Sequence, residues 1–226
     1  MRFDAIIFDF DGVLLESEFE GNRMLVELLT KIGHPTSMAE AVEHYTGLAG
    51  QAFVDAVEAR IGQPLPPEFH EGTRVLRDRS LREGIAAVAG AVEFVRALPR
   101  TLPKAVASSS STKWVRTHLA HLGLNHTFEP HIYSGREHVE RGKPAPDLYL
   151  HAARELGVDI GRTVILEDSK VGATGAVASG ATVIGLAAGR HCFDGHGEML
   201  KAVGVRNIAH DFDEVARLIG LDQTSK

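Results

Sequence analysis

The chain has 226 residues, of which 44% are hydrophobic, and its 24 basic and 30 acidic side chains leave a net charge of −6. That length supports one sizeable core and a second small unit, and a mildly acidic chain with no cationic cluster excludes a nucleic-acid backbone or an anionic membrane surface as its principal partner. The single Cys192 excludes an internal disulfide framework, no apolar run approaches the ~20 residues that cross a bilayer, and the opening residues read as a strand instead of a secretion signal. A cytoplasmic monomer acting on a small soluble molecule is the expectation.

The run from Asp4 to Asp9 is apolar, ends on a carboxylate and is followed by Asp11 and Gly12, the pattern of a buried parallel strand opening into a functional turn. From Glu16 to about Gly84 the pattern is helical: Leu25, Leu28, Leu29 and Ile32 share one face, Phe53, Val57 and Ile61 another, and the prolines between Gln63 and Pro67 separate two helices. A helix is predicted around Val92 to Leu98. Short apolar runs then recur at Lys104–Ser108, Ile132–Ser134, Thr163–Glu167 and Ala181–Leu186, with helical patterns between them. The alternation predicts an α/β fold, a doubly wound parallel sheet, with residues 1–15 and 85–226 as its core and 16–84 as a small helical cap domain.

Asp9 with Asp11, Ser108 with Ser109, Lys143, and Glu167 with Asp168 all fall at or just beyond the C-terminal ends of predicted strands, where open α/β sheets place their ligands. Those residue types meet the demands of phosphate-ester cleavage, whose uncatalysed barrier is so high that an enzyme must remove on the order of 20 kcal/mol of it. Asp9 would attack phosphorus, dividing hydrolysis into two easier displacements, while a hard cation such as Mg2+ held by Asp9 and Asp168 would cancel the repulsion between two anions. Asp11 would give a proton to the leaving group and later take one from water. Lys143 and Ser108, with the backbone N–H groups of their turns, would carry the phosphoryl charge. Asp9, Asp11, Gly12, Ser108, Ser109 and Lys143 thus form the expected substrate-binding set. A P-loop sequence is absent. His191, Cys192 and His196 lie close together in sequence but at a spacing unlike a zinc motif, and Trp114 reads as a packing residue of a helix that starts near Ser111.

At these residues the chain resembles the haloacid dehalogenase superfamily, in the branch with a helical cap inserted after the first motif. Asp9-Phe10-Asp11-Gly12-Val13 resembles that family's first motif, Ser108 its second, Lys143-Pro144 its third, and Glu167-Asp168-Ser169 with Gly172 its fourth. The resemblance implies a Mg2+-dependent phosphatase of a small phosphorylated metabolite, a sugar, polyol or sugar-acid phosphate. Asp9 would be its nucleophile, Asp11 its acid/base and a main-chain ligand to the metal, Asp168 a metal ligand, and Glu167 either a ligand or an orienting group. The second aspartate separates it from dehalogenases. The beta-phosphoglucomutases share all four motifs but add a cap histidine and a cap arginine, at positions falling near Gly21 and Gly50 here, so hydrolysis is expected over transfer to a second sugar. A non-catalytic binding module is the remaining reading. Substrate choice is expected to lie in the cap, at the Glu18–Gly21 approach and the Tyr45–Gln51 loop.

Overall fold

A computed structural model describes residues 3–45 and 50–221. In chain order it runs β1 (Ala5–Phe8), α1 (Ser17–Lys31), α2 (Met38–Tyr45), α3 (Gly50–Ile61), α4 (Pro67–Glu83), α5 (Ala91–Ala97), β2 (Lys104–Ser108), α6 (Thr112–His121), α7 (Asn125–Phe128), β3 (Ile132–Ser134), α8 (Asp147–Leu156), β4 (Thr163–Glu167), α9 (Lys170–Ala178), β5 (Thr182–Leu186), α10 (His196–Ala202), β6 (Asn207–Ala209) and α11 (Phe212–Ile219). Among the described residues the strands form one parallel sheet of order β3-β2-β1-β4-β5-β6 with helices on both faces. The predicted α/β fold is therefore the observed one. No helix among these residues is long and apolar enough to cross a membrane.

Each central strand is buried on both faces, so its apolar run is continuous, and its successive side chains enter different cores. Ile6, Phe8, Val106, Val164 and Leu166 join the core under α5, α6 and α11, whereas Ile7, Ala105, Ala107 and Ile165 join the core under α8 and α9. This parity places the site. Asp9 follows Ile7 and Glu167 follows Ile165, and Phe8 is in register with Leu166, so both carboxylates emerge at one sheet end on the side of α8. The chain also reverses its winding there, since β1 connects to β2 on one flank and pairs with β4 on the other.

Helices α1 to α4 lie between β1 and α5 in sequence and enclose an apolar cluster of their own, with Leu25, Leu28, Leu29, Val57, Phe69 and Leu76 at its centre and Ile32, Phe53 and Ile61 packed against it. The two predicted faces meet there. Residues 46–49 of the Tyr45–Gln51 loop lie outside the described residues. Strand β6 was not anticipated: its Asn-Ile-Ala segment has a single large apolar residue, against the Ile-Tyr pair of the equally short β3.

Candidate active site

Asp9 continues the ladder of β1 by donating its N–H to the Leu166 carbonyl at 2.9 Å. Phe10 then turns into the apolar core, where it is fully buried, and Gly12 takes a left-handed φ of 80°. Gly12 is also required by space: a Cβ there would stand 2.0 Å from Asp168 Oδ2. The Asp11 carboxylate accepts from four donors. Ser17 Oγ at 2.7 Å and Trp114 Nε1 at 3.0 Å reach Oδ1; Ser110 Oγ at 2.7 Å and Ser108 Oγ at 3.2 Å reach Oδ2. Trp114 is therefore more than a packing residue, because its indole N–H helps to hold Asp11. An aromatic one turn into a helix gives no sequence signal for such a bond. Ser109, the predicted partner of Ser108, is exposed, and Ser110 is the neighbour that touches Asp11. Ser111 caps α6.

Lys143 Nζ lies 2.7 Å from Asp9 Oδ1 and 2.7 Å from Glu167 Oε1, with its side chain 3% exposed. Burial pulls this ammonium down, but the two carboxylates overcome it and hold it well above its ordinary value. Glu167 is saturated. Oε1 accepts from Lys143 and from Tyr149 of α8 at 2.9 Å, and Oε2 from the N–H and hydroxyl of Ser169 at 2.8 and 3.0 Å. Burial pulls its carboxyl upward, yet Lys143 and these donors bring it below the usual range. Ser169 also caps α9 by accepting from Gly172 N–H, and a Cβ on Gly172 would stand 1.5 Å from Glu167 Oε1, so only glycine fits that turn.

Asp168 is 2% exposed. Its Oδ2 lies 2.9 Å from His191 Nε2, while Oδ1 is buried with no partner. Burial pushes the carboxyls of Asp9 and Asp168 well above their ordinary values, the neighbouring carboxylates adding to the effect. Three buried carboxylates facing one buried ammonium leave an excess of negative charge, and Asp168 Oδ1 is an unsatisfied oxygen among them. That is the environment a hard divalent cation fits, and Asp9, Glu167 and Asp168 offer oxygens within 4.8 Å of one another.

His191, Cys192 and His196 also cluster, but both imidazoles are turned to Asp168: His191 Nε2 to the carboxylate and His196 Nε2 to the main-chain oxygen at 2.8 Å. Burial pushes the Cys192 thiol up to about 12.

From the first turn of α1, Glu18 adds a further carboxyl. Burial and the charges of Asp168 and Asp11 push it up to about 7 from 4.5. Because the folded-state value is the raised one, ionising Glu18 costs stability that is lost as pH climbs from about 4.5 through about 7. The metal-free Glu18→Gln variant is accordingly expected to exceed the wild type by on the order of 2 kcal/mol at pH 8 and by almost nothing at pH 4.5. Denaturant unfolding at the two pH values checks this, and an equal gain at both would refute it.

The haloacid dehalogenase-like hydrolase family model matches residues 3–180. YhcW of Bacillus subtilis is 34% identical over 179 residues, covering 78% of this chain and 80% of that protein. The 6-phosphogluconate phosphatase of Escherichia coli is 27% identical, covering 84% and 85%. A haloacid dehalogenase family hydrolase of Deinococcus radiodurans, solved with bound phosphate and sodium, superposes with a TM-score of 0.86 at 31% identity over 97% of this chain and 96% of its own. With the four motif segments gathered at one sheet end, these likenesses place the chain in the haloacid dehalogenase-like hydrolases, as an enzyme of their phosphatase branch.

Proposed function

We propose that the chain is a Mg2+-dependent phosphatase of a phosphorylated sugar, polyol or sugar acid, working through an aspartyl-phosphate on Asp9. The observation that carries this is the buried arrangement in which Lys143 bridges Asp9 and Glu167 beside the unpartnered Asp168 Oδ1. It unites a fixed nucleophile, a positive charge for phosphoryl oxygens and an unsatisfied oxygen for a cation. The phosphatase relative that acts on 6-phosphogluconate supports the substrate class.

In the first half-reaction an Asp9 oxygen bonds to phosphorus, the ester P–O bond breaks, and Asp11 gives its proton to the departing alkoxide. In the second, Asp11 takes a proton from water as the water oxygen attacks phosphorus, and Asp9 leaves with its electron pair. Inorganic phosphate and the starting carboxylate result. The four donors around Asp11 fix its orientation, and the serine hydroxyls among them can turn to accept when Asp11 is protonated. Lys143 and the N–H of the exposed Ser109 hold the phosphoryl oxygens, the Ser110 N–H being engaged by Ser108 Oγ at 2.9 Å. Bound Mg2+ supplies the positive charge that lets one anion approach another; Asp9, Asp168 and the Asp11 main-chain oxygen would hold it. Glu167, with four donors already, acts as the anchor of Lys143. Residues 16–84 act as the cap, and Glu18, held close to the carboxylates, faces the substrate's hydroxylated part.

The beta-phosphoglucomutase alternative is not favoured. The positions where those mutases carry a cap histidine and a cap arginine fall near Gly21 and Gly50 here; Gly21 borders a cavity of about 170 Å³ whose lining includes the apolar Leu25, Leu28, Phe53 and Phe69 together with Glu20 and Arg77 but no histidine.

The test is phosphate release from a panel of sugar, polyol and sugar-acid phosphates that includes beta-glucose 1-phosphate. Release with Mg2+, its loss with chelator and its return on adding Mg2+ are expected. Chelator-resistant release would overturn the metal assignment, and isomerised sugar phosphate without free phosphate would overturn hydrolysis.

A further inference from the structure

His191 and His196, beyond β5, have no part in the mechanism above, yet both grip one residue of it. His191 is 1% exposed and sits in the segment joining β5 to α10; its Nε2 is 2.9 Å from Asp168 Oδ2, and His196 Nε2 is 2.8 Å from the Asp168 main-chain oxygen. Two glycines make room for the imidazole. A Cβ on Gly189 would stand 2.5 Å from His191 Cε1 and Nδ1, and one on Gly12 would stand 3.1 Å from Cε1. The segment is held in place from the other side as well: Arg190 N–H donates to the Glu16 carboxylate at 3.0 and 3.3 Å, and the Arg190 guanidinium covers the Phe19 ring of α1 at 3.7 Å. The ring is thus fixed by its own backbone, by the absence of two side chains and by its bond to Asp168.

We propose that His191 is a positioning residue for Asp168: by donating Nε2–H to Oδ2 it fixes the carboxylate and leaves Oδ1 as the single oxygen offered to the divalent cation. The reason is geometric. A free carboxylate can turn on its χ2 axis and can bind a cation through one oxygen or both, but Mg2+ demands near-octahedral geometry at about 2.0–2.1 Å. A donor that occupies one oxygen prevents both the rotation and two-oxygen binding, and it favours the ionised carboxylate that ligation needs. Outer groups of this kind typically change metal affinity by about 10–100-fold when removed. The inference rests on Asp168 being a metal ligand, as read above.

Two variants separate the hydrogen bond from packing. In His191→Gln the side-chain amide nitrogen stands where Nε2 stood and can still donate; in His191→Asn it stands near the position of Nδ1 and cannot reach Asp168. Mn2+ and Mg2+ binding to the substrate-free protein is measured by isothermal titration calorimetry, with Asp168→Asn alongside and circular dichroism to establish folding. His191→Asn is expected to weaken divalent binding by about 10–100-fold, with His191→Gln close to wild type. Substrate KM at saturating metal should change by less than about threefold in both, since the effect is on the metal and not on substrate recognition. Wild-type affinity in His191→Asn, or equal losses in both variants, would overturn the proposal while leaving Asp168 a ligand. Wild-type affinity in Asp168→Asn would overturn that assignment, and the inference with it.

Discussion

Phosphate release is expected to fall by at least about 10⁴-fold in Asp9→Asn, with the protein still folded. An amide oxygen keeps the shape of the carboxylate but has neither its negative charge nor its nucleophilicity, so the covalent half-reaction has no entry. The fold should tolerate the change. Lys143 retains its 2.7 Å contact with Glu167, and the site loses one of three buried carboxylates that face a single buried ammonium. The metal-free variant should therefore melt at or above the wild-type temperature, as active-site substitutions often do when they relieve a functional excess of charge. Phosphate assays with Mg2+ and melts in chelator check both halves. Release within tenfold of wild type would remove Asp9 from the mechanism, and a collapse of the melting temperature would show the carboxylate to be structural.

Lys143→Met should damage stability and activity together. The variant fills much of the same space but leaves Asp9 and Glu167 buried without their shared cation. Breaking a buried pair from one side costs about 3–5 kcal/mol, which for a chain of this size lowers the melting temperature on the order of 10 °C. The loss should depend on pH. Without Lys143, burial raises the folded-state values of both carboxyls above their unfolded ones, so the variant loses stability as pH rises and recovers part of it at low pH, where both groups carry protons. In the wild type Lys143 removes that slope for Glu167, which it helps to bring below the usual range, and only lessens it for Asp9, which burial holds above its ordinary value even so. Catalysis should fall by about 10²–10³-fold, the usual effect of losing one preorganised charge at the reacting centre. Metal-free melts between pH 4 and 8 with parallel phosphate assays measure both, and a variant melting within about 2 °C of wild type at pH 8 would refute the stability argument.

Where the residues carried their own physics, the sequence was legible. Five of the strands were visible as apolar runs because a parallel sheet buried on both faces needs such runs; three of the runs ended at Asp9, Ser108 and Glu167 and a fourth led through a loop to Lys143, because ligands of these folds gather at strand ends. Leu25, Leu28 and Leu29, like Phe53, Val57 and Ile61, were legible as faces because a helix repeats about every 3.6 residues. Trp114 and Ser110 were not legible as partners of Asp11. They are about a hundred residues away in sequence, and an indole or a hydroxyl shows nothing of its bond until β1 and β2 pair. His191 likewise shows nothing of its bond to Asp168 until the fold forms, and Glu18, expected only as part of the cap approach, shows its closeness to Asp168 only there.

The sequence by itself determined the order and chemistry of the groups: two aspartates after the first strand, a serine after the second, a lysine beyond the third, and an acidic pair after the fourth. Side-chain type and local periodicity suffice for that. Only the tertiary structure decided what each acidic group is free to do. Glu167 and Asp168 are neighbours in sequence and both are buried, yet one is saturated by Lys143, Tyr149 and Ser169, while the other keeps an unpartnered oxygen with His191 on its second one. The difference lies in which distant donors the fold brings to each carboxylate, a property of the packed sheet and helices and not of either residue.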